Sequence, residues 1–558
     1  MLRRVYMLLC CCLLLFVPLA HSQAISSTEA PVIETSLGKI RGNVLISRKG
    51  RNIYSYRGIY YAKPPIGLRR FAAPEPVEAW NDTIDALDDG PSCPQDSIFR
   101  PMDENCLSLN VFTINVTASN PVVVYIHGGA NVMGTASTKY SGSPQNLLDA
   151  DIVMVGVNFR LDAFGFLSMG TPEANGNFGY FDQVLALKWV QEHIRNFGGD
   201  PTRVTLLGMS AGSMAISLHL ASPLSKGLFH GVIAISGSAT NHYDIDNVYL
   251  TQHLADQLGC PRYNTKYLLN CLRKFSWEEL INTSAKYEKY GLINVKWNYE
   301  IDGVFLLEHP TEAIRNNRFN RVPLIVGLYR DELDFDPYKI ENRTDLFDDI
   351  NENFGLYVSD FFEFKSSGNN DTRAQKIREF YYNTTSISTS NLETFGRIQS
   401  DSVIGHGVHR LVELAKNHTD VYFYRFDYVG DKSLYLDHFG KPRGTGHTDG
   451  FLYIIPSDLY KVDENSPDIF MIDRLVNMFS EFAANGKPPL IENITWIPAT
   501  ANETVVLYMD KQPYMGGAFY QDRYALWDEL FPLKENSAGI RLPVVVLLFF
   551  TIVWNVLL

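Results

Sequence analysis

Short, continuously apolar runs recur along the chain at 121–126 (PVVVYI), 152–157 (IVMVGV), 204–207 (VTLL), 232–236 (VIAIS), 322–326 (VPLIV) and 421–426 (VYFYRF). Each is too short for a helix and too evenly apolar for a strand with one wet face, so each predicts a central strand covered on both sides. Between them, 181–195 carries Val184, Leu187, Val190 and Ile194 at helical spacing. Strands alternating with helices predict an α/β fold: a large, mostly parallel central sheet with helices on both faces. The chain has 558 residues, yet no Pro- or Ser-rich linker and no internal repeat separates the runs. One large domain over 23–535 is therefore expected.

A hydrophobic content of 46% against 20% charged residues is enough to bury a sizeable core. The formal charge of -13, with no basic stripe to interrupt it, repels a phosphate backbone and excludes nucleic acid as a partner. At the start, Arg3 and Arg4 precede an apolar run through Leu19 and the small-residue step Ala20, His21, Ser22. That pattern predicts a secretory signal peptide over 1–22. Cys10, Cys11 and Cys12 leave with it, and the remaining cysteines pair locally as Cys93 with Cys106 and Cys260 with Cys271. Each bridge is worth roughly 3 kcal/mol. None remains for a covalent dimer. Sequons at Asn81, Asn115, Asn282, Asn342, Asn370, Asn383, Asn417, Asn493 and Asn502 fit the same oxidising compartment. At the other end, 542–558 (LPVVVLLFFTIVWNVLL) carries no charge. As a helix it would measure about 26 Å against a hydrocarbon core of about 30 Å, so the 536–558 tail is expected to be a marginal membrane span or, with Ser537, Ala538 and Gly539 before it, a lipid-anchor signal. No cofactor or metal is expected.

After the run 204–207 comes Gly208, Met209, Ser210, Ala211, Gly212, a GxSxG pattern followed by small residues at the start of a helix. A strand that turns sharply into a helix strains its central residue, and flanking glycines let the two elements approach without a Cβ clash. Ser210 is thereby presented at a helix N-terminus, where free amides and the helix dipole favour developing negative charge. Upstream, 121–126 runs into His127, Gly128, Gly129, Ala130. The amides of Gly129 and Ala130, with that of Ala211, predict an oxyanion hole. Either glycine motif alone could be a plain turn. Two of them, each after an apolar strand and in this order, point to nucleophilic acyl transfer.

The residues from here resemble a known family, the type-B carboxylesterases and cholinesterases. The matches run through 57–65 (RGIYYAKPP), 104–111 (ENCLSLNV), 155–167 (VGVNFRLDAFGFL), 177–207 (NFGYFDQVLALKWVQEHIRNFGGDPTRVTLL) and 228–238 (LFHGVIAISGS). The resemblance implies an α/β-hydrolase fold and hydrolysis of a small-molecule carboxylic ester. It also implies that the triad acid is Glu332 in 327–333 (GLYRDEL), that the base is His447 in 444–449 (GTGHTD), and that Ser236 has a supporting role. The residues by themselves do not choose His447 over His438, or Glu332 over Asp331 or Asp334. Departures from the family pattern fall at Met209, Ala130, Asn131, Leu333 and Gly450, beside the triad rather than in it.

In the cholinesterases that the chain resembles, a tryptophan in the loop closed by the first disulfide holds a quaternary ammonium; between Cys93 and Cys106 this chain has none, and Arg100 beside Phe99 repels a cation. Neutral esters are expected to be better substrates than choline esters. Two other functions on the same fold remain: a cell-surface adhesion protein without catalysis, which the presence of Ser210, Glu332 and His447 disfavours, and a lipase.

Overall fold

The computed structural model describes residues 29–533 except 244–245, 288–295, 363, 384 and 459–460. The signal peptide expected over 1–22 and the tail expected over 536–558 lie outside the described residues.

The centre is an 11-stranded sheet. In chain order its strands are β1 (Asn43–Ile46), β2 (Asn52–Tyr60), β3 (Ser108–Thr113), β4 (Asn120–Ile126), β5 (Val153–Val157), β6 (Gly199–Met209), β7 (Gly231–Ile235), β8 (Leu324–Tyr329), β9 (Val421–Phe426), β10 (Val505–Met509) and β11 (Tyr514–Gly517). Across the sheet they lie as β11-β10-β9-β8-β7-β6-β4-β5-β3-β2-β1. The stretch from β10 to β5 is parallel throughout. Both margins are antiparallel. All the apolar runs seen in the sequence are strands of the parallel part. The antiparallel marginal strands, NVLI, NIYSYRGIY, SLNVFT and YMGG, carry polar residues or glycines and none of these runs.

Alternate residues of the central strands feed two separate cores. Val122, Val124, Val204, Leu206, Val232, Ala234, Leu324 and Val326 pack on one face. Val123, Tyr125, Leu207, Ile233, Ile235 and Ile325 pack on the other. A side chain every second residue on each face is the strand period, and burial of both faces explains why the runs read as unbroken apolar sequence. The helix foreseen over 181–195 spans Phe178–His193 on the first face, and a tight turn, Ile194–Phe197, continues it to Gly198. Beyond β8, the helices Thr344–Phe361, Thr372–Tyr382 and Leu392–Gln399 close a third core of their own around Ile350, Phe361, Phe395 and Trp527.

Both expected disulfides are present, Cys93–Cys106 and Cys260–Cys271. Among the described residues no helix is long and apolar enough to cross a membrane.

Candidate active site

The carboxyl ends of β4, β6, β7, β8 and β9 all open on one edge of the sheet, where parallel α/β folds place their ligands. Ser210 follows β6 directly and starts the helix Ala211–Ala221, with φ 58° and ψ -126°. This backbone is costly for a side-chain-bearing residue. Its amide is pinned to the Ile235 carbonyl at 2.8 Å, and its own carbonyl accepts from Met214 N at 3.0 Å. The flanking glycines are required by contact. A Cβ on Gly208 would collide with the Gly212 carbonyl, and one on Gly212 with the carbonyl of Ile126 at the end of β4.

The loop after β4 carries left-handed residues at Gly129 (φ 113°), Ala130 (φ 53°) and Asn131 (φ 61°). Asn131 stands where the family has an aromatic residue. Its buried amide donates to Tyr180 Oη at 3.1 Å and to the Trp297 carbonyl at 2.9 Å, while its carbonyl accepts from Asp162 N at 2.7 Å. His127 stacks on Phe159 with ring centroids 4.4 Å apart, and its ring nitrogen Nδ1 lies 2.9 Å from the Gly128 carbonyl. Burial depresses its pKa to about 4, so the ring is neutral and Nδ1–H donates. Among the described residues the amides of Gly129, Ala130 and Ala211 donate no hydrogen bond within the protein. Ala130 and Ala211 line a small cavity with Ser210, closed by Met214, Tyr243, Val403 and Ile404. Gly129 sits one residue upstream and does not line it.

Glu332 and His447 are 3% and 4% exposed, and His447 Nδ1–H donates to Glu332 Oε2 at 2.7 Å. The other carboxylate oxygen accepts from Ser236 Oγ at 2.6 Å and Tyr329 N at 2.8 Å. Because Ser236 also lines the cavity, the polar chain runs from His447 through Glu332 to the floor beside Ser210. Among the described residues no hydrogen bond joins the Ser210 hydroxyl to the His447 ring. Such links are often long before substrate binds.

Three successive amides of the histidine turn are each taken by an acidic residue. Thr445 N donates to Asp331 Oδ2 at 2.9 Å, Gly446 N to Asp449 Oδ2 at 2.9 Å, and His447 N to the Glu332 carbonyl at 2.7 Å. Asp331 is thus a support of the turn, distinct from the acid on the imidazole. Asp334 faces away, accepting from Ser400 Oγ at 2.5 Å, and burial raises its carboxyl to about 7. The same Ser400 hydroxyl accepts from Leu333 N at 2.9 Å. Ser400–Gly405 is one wide turn of π-helix, whose Ser402 and Val403 carbonyls accept from Asn241 Nδ2 at 2.9 Å each. This turn places Val403 and Ile404 in the cavity with Ser210. Sequence reasoning gave no role to Asp449, although it ends the 444–449 stretch, nor to Ser400 and the π-turn, which no local pattern marks. Gly450 has no room for a carboxylate, since a Cβ there would lie 2.6 Å from the Tyr329 ring. At the disulfide loop Phe99 packs on Tyr140 at 5.0 Å between centroids, and Arg100 is exposed.

Residues 29–527 match the model of the carboxylesterase family. A juvenile hormone esterase of Tribolium castaneum is 33% identical over 84% of this chain and 85% of its own length. Esterase E4 of Myzus persicae is 32% identical over 86% and 90%. An acylcarnitine hydrolase of Mus musculus is 30% identical over 92% and 94%. The crystal structure of juvenile hormone esterase from Manduca sexta, with OTFP covalently attached, superposes with a TM-score of 0.81 at 25% identity, covering 91% of this chain and all of that one. The α/β-hydrolase sheet, the strained serine turn and these relatives agree: the chain belongs to the carboxylesterase family.

Proposed function

We propose that this serine carboxylesterase hydrolyses neutral carboxylic esters through an acyl-enzyme on Ser210. The observation that carries this reading is the polar chain Ser236–Glu332–His447 ending beside a serine held in strained backbone at a helix N-terminus. Ser210 Oγ attacks the ester carbonyl carbon while His447 Nε2 takes its proton, and Glu332 holds the ring by Nδ1–H and stabilises the imidazolium. The carbonyl oxygen, now negative, is met by the amides of Ala130, Gly129 and Ala211. His447 returns the proton to the departing alcohol. Water then attacks the acyl-enzyme by the same route, releasing the carboxylic acid and freeing Ser210. Attachment of OTFP to the Manduca sexta enzyme supports a covalent step in this family.

The lack of a tryptophan between Cys93 and Cys106, and the exposed Arg100, support a preference for neutral over cationic alcohol groups. Passage through the secretory pathway is supported by the 1–22 segment, the two disulfides and the sequons, with 23–535 as the catalytic domain. The charge-free 536–558 segment supports attachment to a membrane by span or lipid anchor.

One preparation tests the assignment. Ser210→Ala and His447→Ala should each lower hydrolysis of naphthyl acetate by roughly 10³-fold or more, and a fluorophosphonate should label wild type but not Ser210→Ala. On the same wild-type sample, kcat/KM for naphthyl acetate should exceed that for acetylthiocholine by about tenfold or more. Undiminished turnover by Ser210→Ala would end the proposal.

A further inference from the structure

Two residues past His447, a carboxylate that the reaction does not use is built into the same turn. Asp449 is 4% exposed. Its Oδ2 accepts from Gly446 N at 2.9 Å and Ser433 Oγ at 2.7 Å, and its Oδ1 accepts from Leu434 N at 2.9 Å. Asp449 N in turn donates to the Gly446 carbonyl at 3.1 Å, so the side chain closes a turn that its own backbone has begun. The 433–434 backbone is thereby joined to the residue immediately before His447. Gly446 cannot carry a side chain, because a Cβ there would run into the Tyr435 ring.

We propose that Asp449 is a positioning residue for ester hydrolysis, its carboxylate fixing the turn that presents His447 to Ser210. The inference rests on His447 being the general base.

All three donors favour the ionised carboxylate: they fill three of its roughly four acceptor sites, and a proton on the remaining Oδ1 site weakens both oxygens as acceptors and loosens the arrangement. Burial raises Asp449 to about 6, opposed by its three donors and by His447. Around it stand His447 and Glu332, with the phenols of Tyr329 at the end of β8, Tyr435 in the 433–435 loop and Tyr453 in the short helix Phe451–Tyr453; burial and the neighbouring carboxylates raise all three phenols, keeping them neutral. Weakening of the turn should therefore begin as pH falls toward 6.

The test is the pH profile of kcat/KM for naphthyl acetate in wild type, Asp449→Asn, Ser433→Ala and His447→Ala, with fluorophosphonate labelling and thermal melting of each. In wild type, log kcat/KM should fall with a limiting slope of 2 on the acid side, one proton on the base and one on Asp449. Asp449→Asn should lower kcat by about 10- to 100-fold with KM within about twofold, and reduce that slope to 1. Ser433→Ala removes one donor to the ionised form, so it should lower kcat by about threefold and move the acid inflection to higher pH. If Asp449→Asn does not fold, the direction of the Ser433→Ala shift decides. Wild-type kcat and an unmoved profile in the variants, with His447→Ala inactive, would overturn the role of Asp449 alone. Activity in His447→Ala would instead remove the base assignment beneath it.

Discussion

The two halves of the active site are held by different physics. The half bearing Ser210 and the loop after β4 is fixed by contact: Gly208 and Gly212 press backbone against backbone, and strained residues are locked between β4, β6 and the following helix. The half bearing Glu332 and His447 is fixed by charge, with Asp331, Glu332 and Asp449 each drawing in a different part of one turn. Contact is indifferent to pH and unforgiving of volume. A carboxylate network keeps its packing under isosteric change but answers to charge and protons.

The sharpest way to break the comparison is a pair of variants. Glu332→Gln keeps the volume and removes the charge that holds the imidazole tautomer, so kcat should fall by roughly 10³- to 10⁴-fold while the melting temperature stays close to wild type. Gly212→Ala adds one methyl that meets the Ile126 carbonyl. It should lower kcat by about 10²-fold and also destabilise the protein by about 1–3 kcal/mol, read together by steady-state kinetics and thermal melting. If Glu332→Gln unfolds the protein, or Gly212→Ala leaves its stability intact, the division is wrong.

A smaller effect sharpens it on the charged side. Asp334 titrates near 7 in the fold, well above an exposed carboxyl, so folding favours its protonated form. Its contribution to stability is therefore present below about pH 4 and is lost as pH rises toward 7. Asp334→Asn should abolish that loss, raising the melting temperature at pH 8 by about 1–3 °C relative to wild type and leaving it unchanged at pH 4. A gain of equal size at both values would show that the effect is packing and not titration.

The same division explains what could be read from the chain. Contact leaves local signatures: unbroken apolar runs for strands buried on both faces, and glycines at fixed offsets around Ser210. Six strands of the parallel sheet and the strained turn at Ser210 were legible from residues alone, while the parallel strand Val505–Met509 was not read. The marginal strands Asn52–Tyr60 and Tyr514–Gly517 pair antiparallel and are only partly covered, so no apolar run marks them. Charge leaves no such signature. Asp331, Glu332 and Asp334 are indistinguishable in sequence because their roles depend on which distant turn arrives opposite them, 114 residues on for Asp331, 115 for Glu332 and 66 for Asp334. Family resemblance was needed to choose Glu332 and His447. It assigned no role to Asp449 or Ser400, whose contacts with Ser433 and Leu434 and with Leu333 and Asp334 are made only by the fold.

The strand order has a consequence for when a newly made molecule becomes an enzyme. β6 lies between β4 and β7, and β8 and β9 are added outward from there, so the turn carrying His447 can dock only after β9 has joined. Each parallel pairing closes a long crossover, and ordering such a loop is slow compared with joining neighbours. The disulfides link cysteines only 13 and 11 residues apart and can form while most of the sheet is still missing. Oxidation therefore marks an early stage of maturation and turnover marks its completion, so a molecule with both bridges intact can still be an unfinished one.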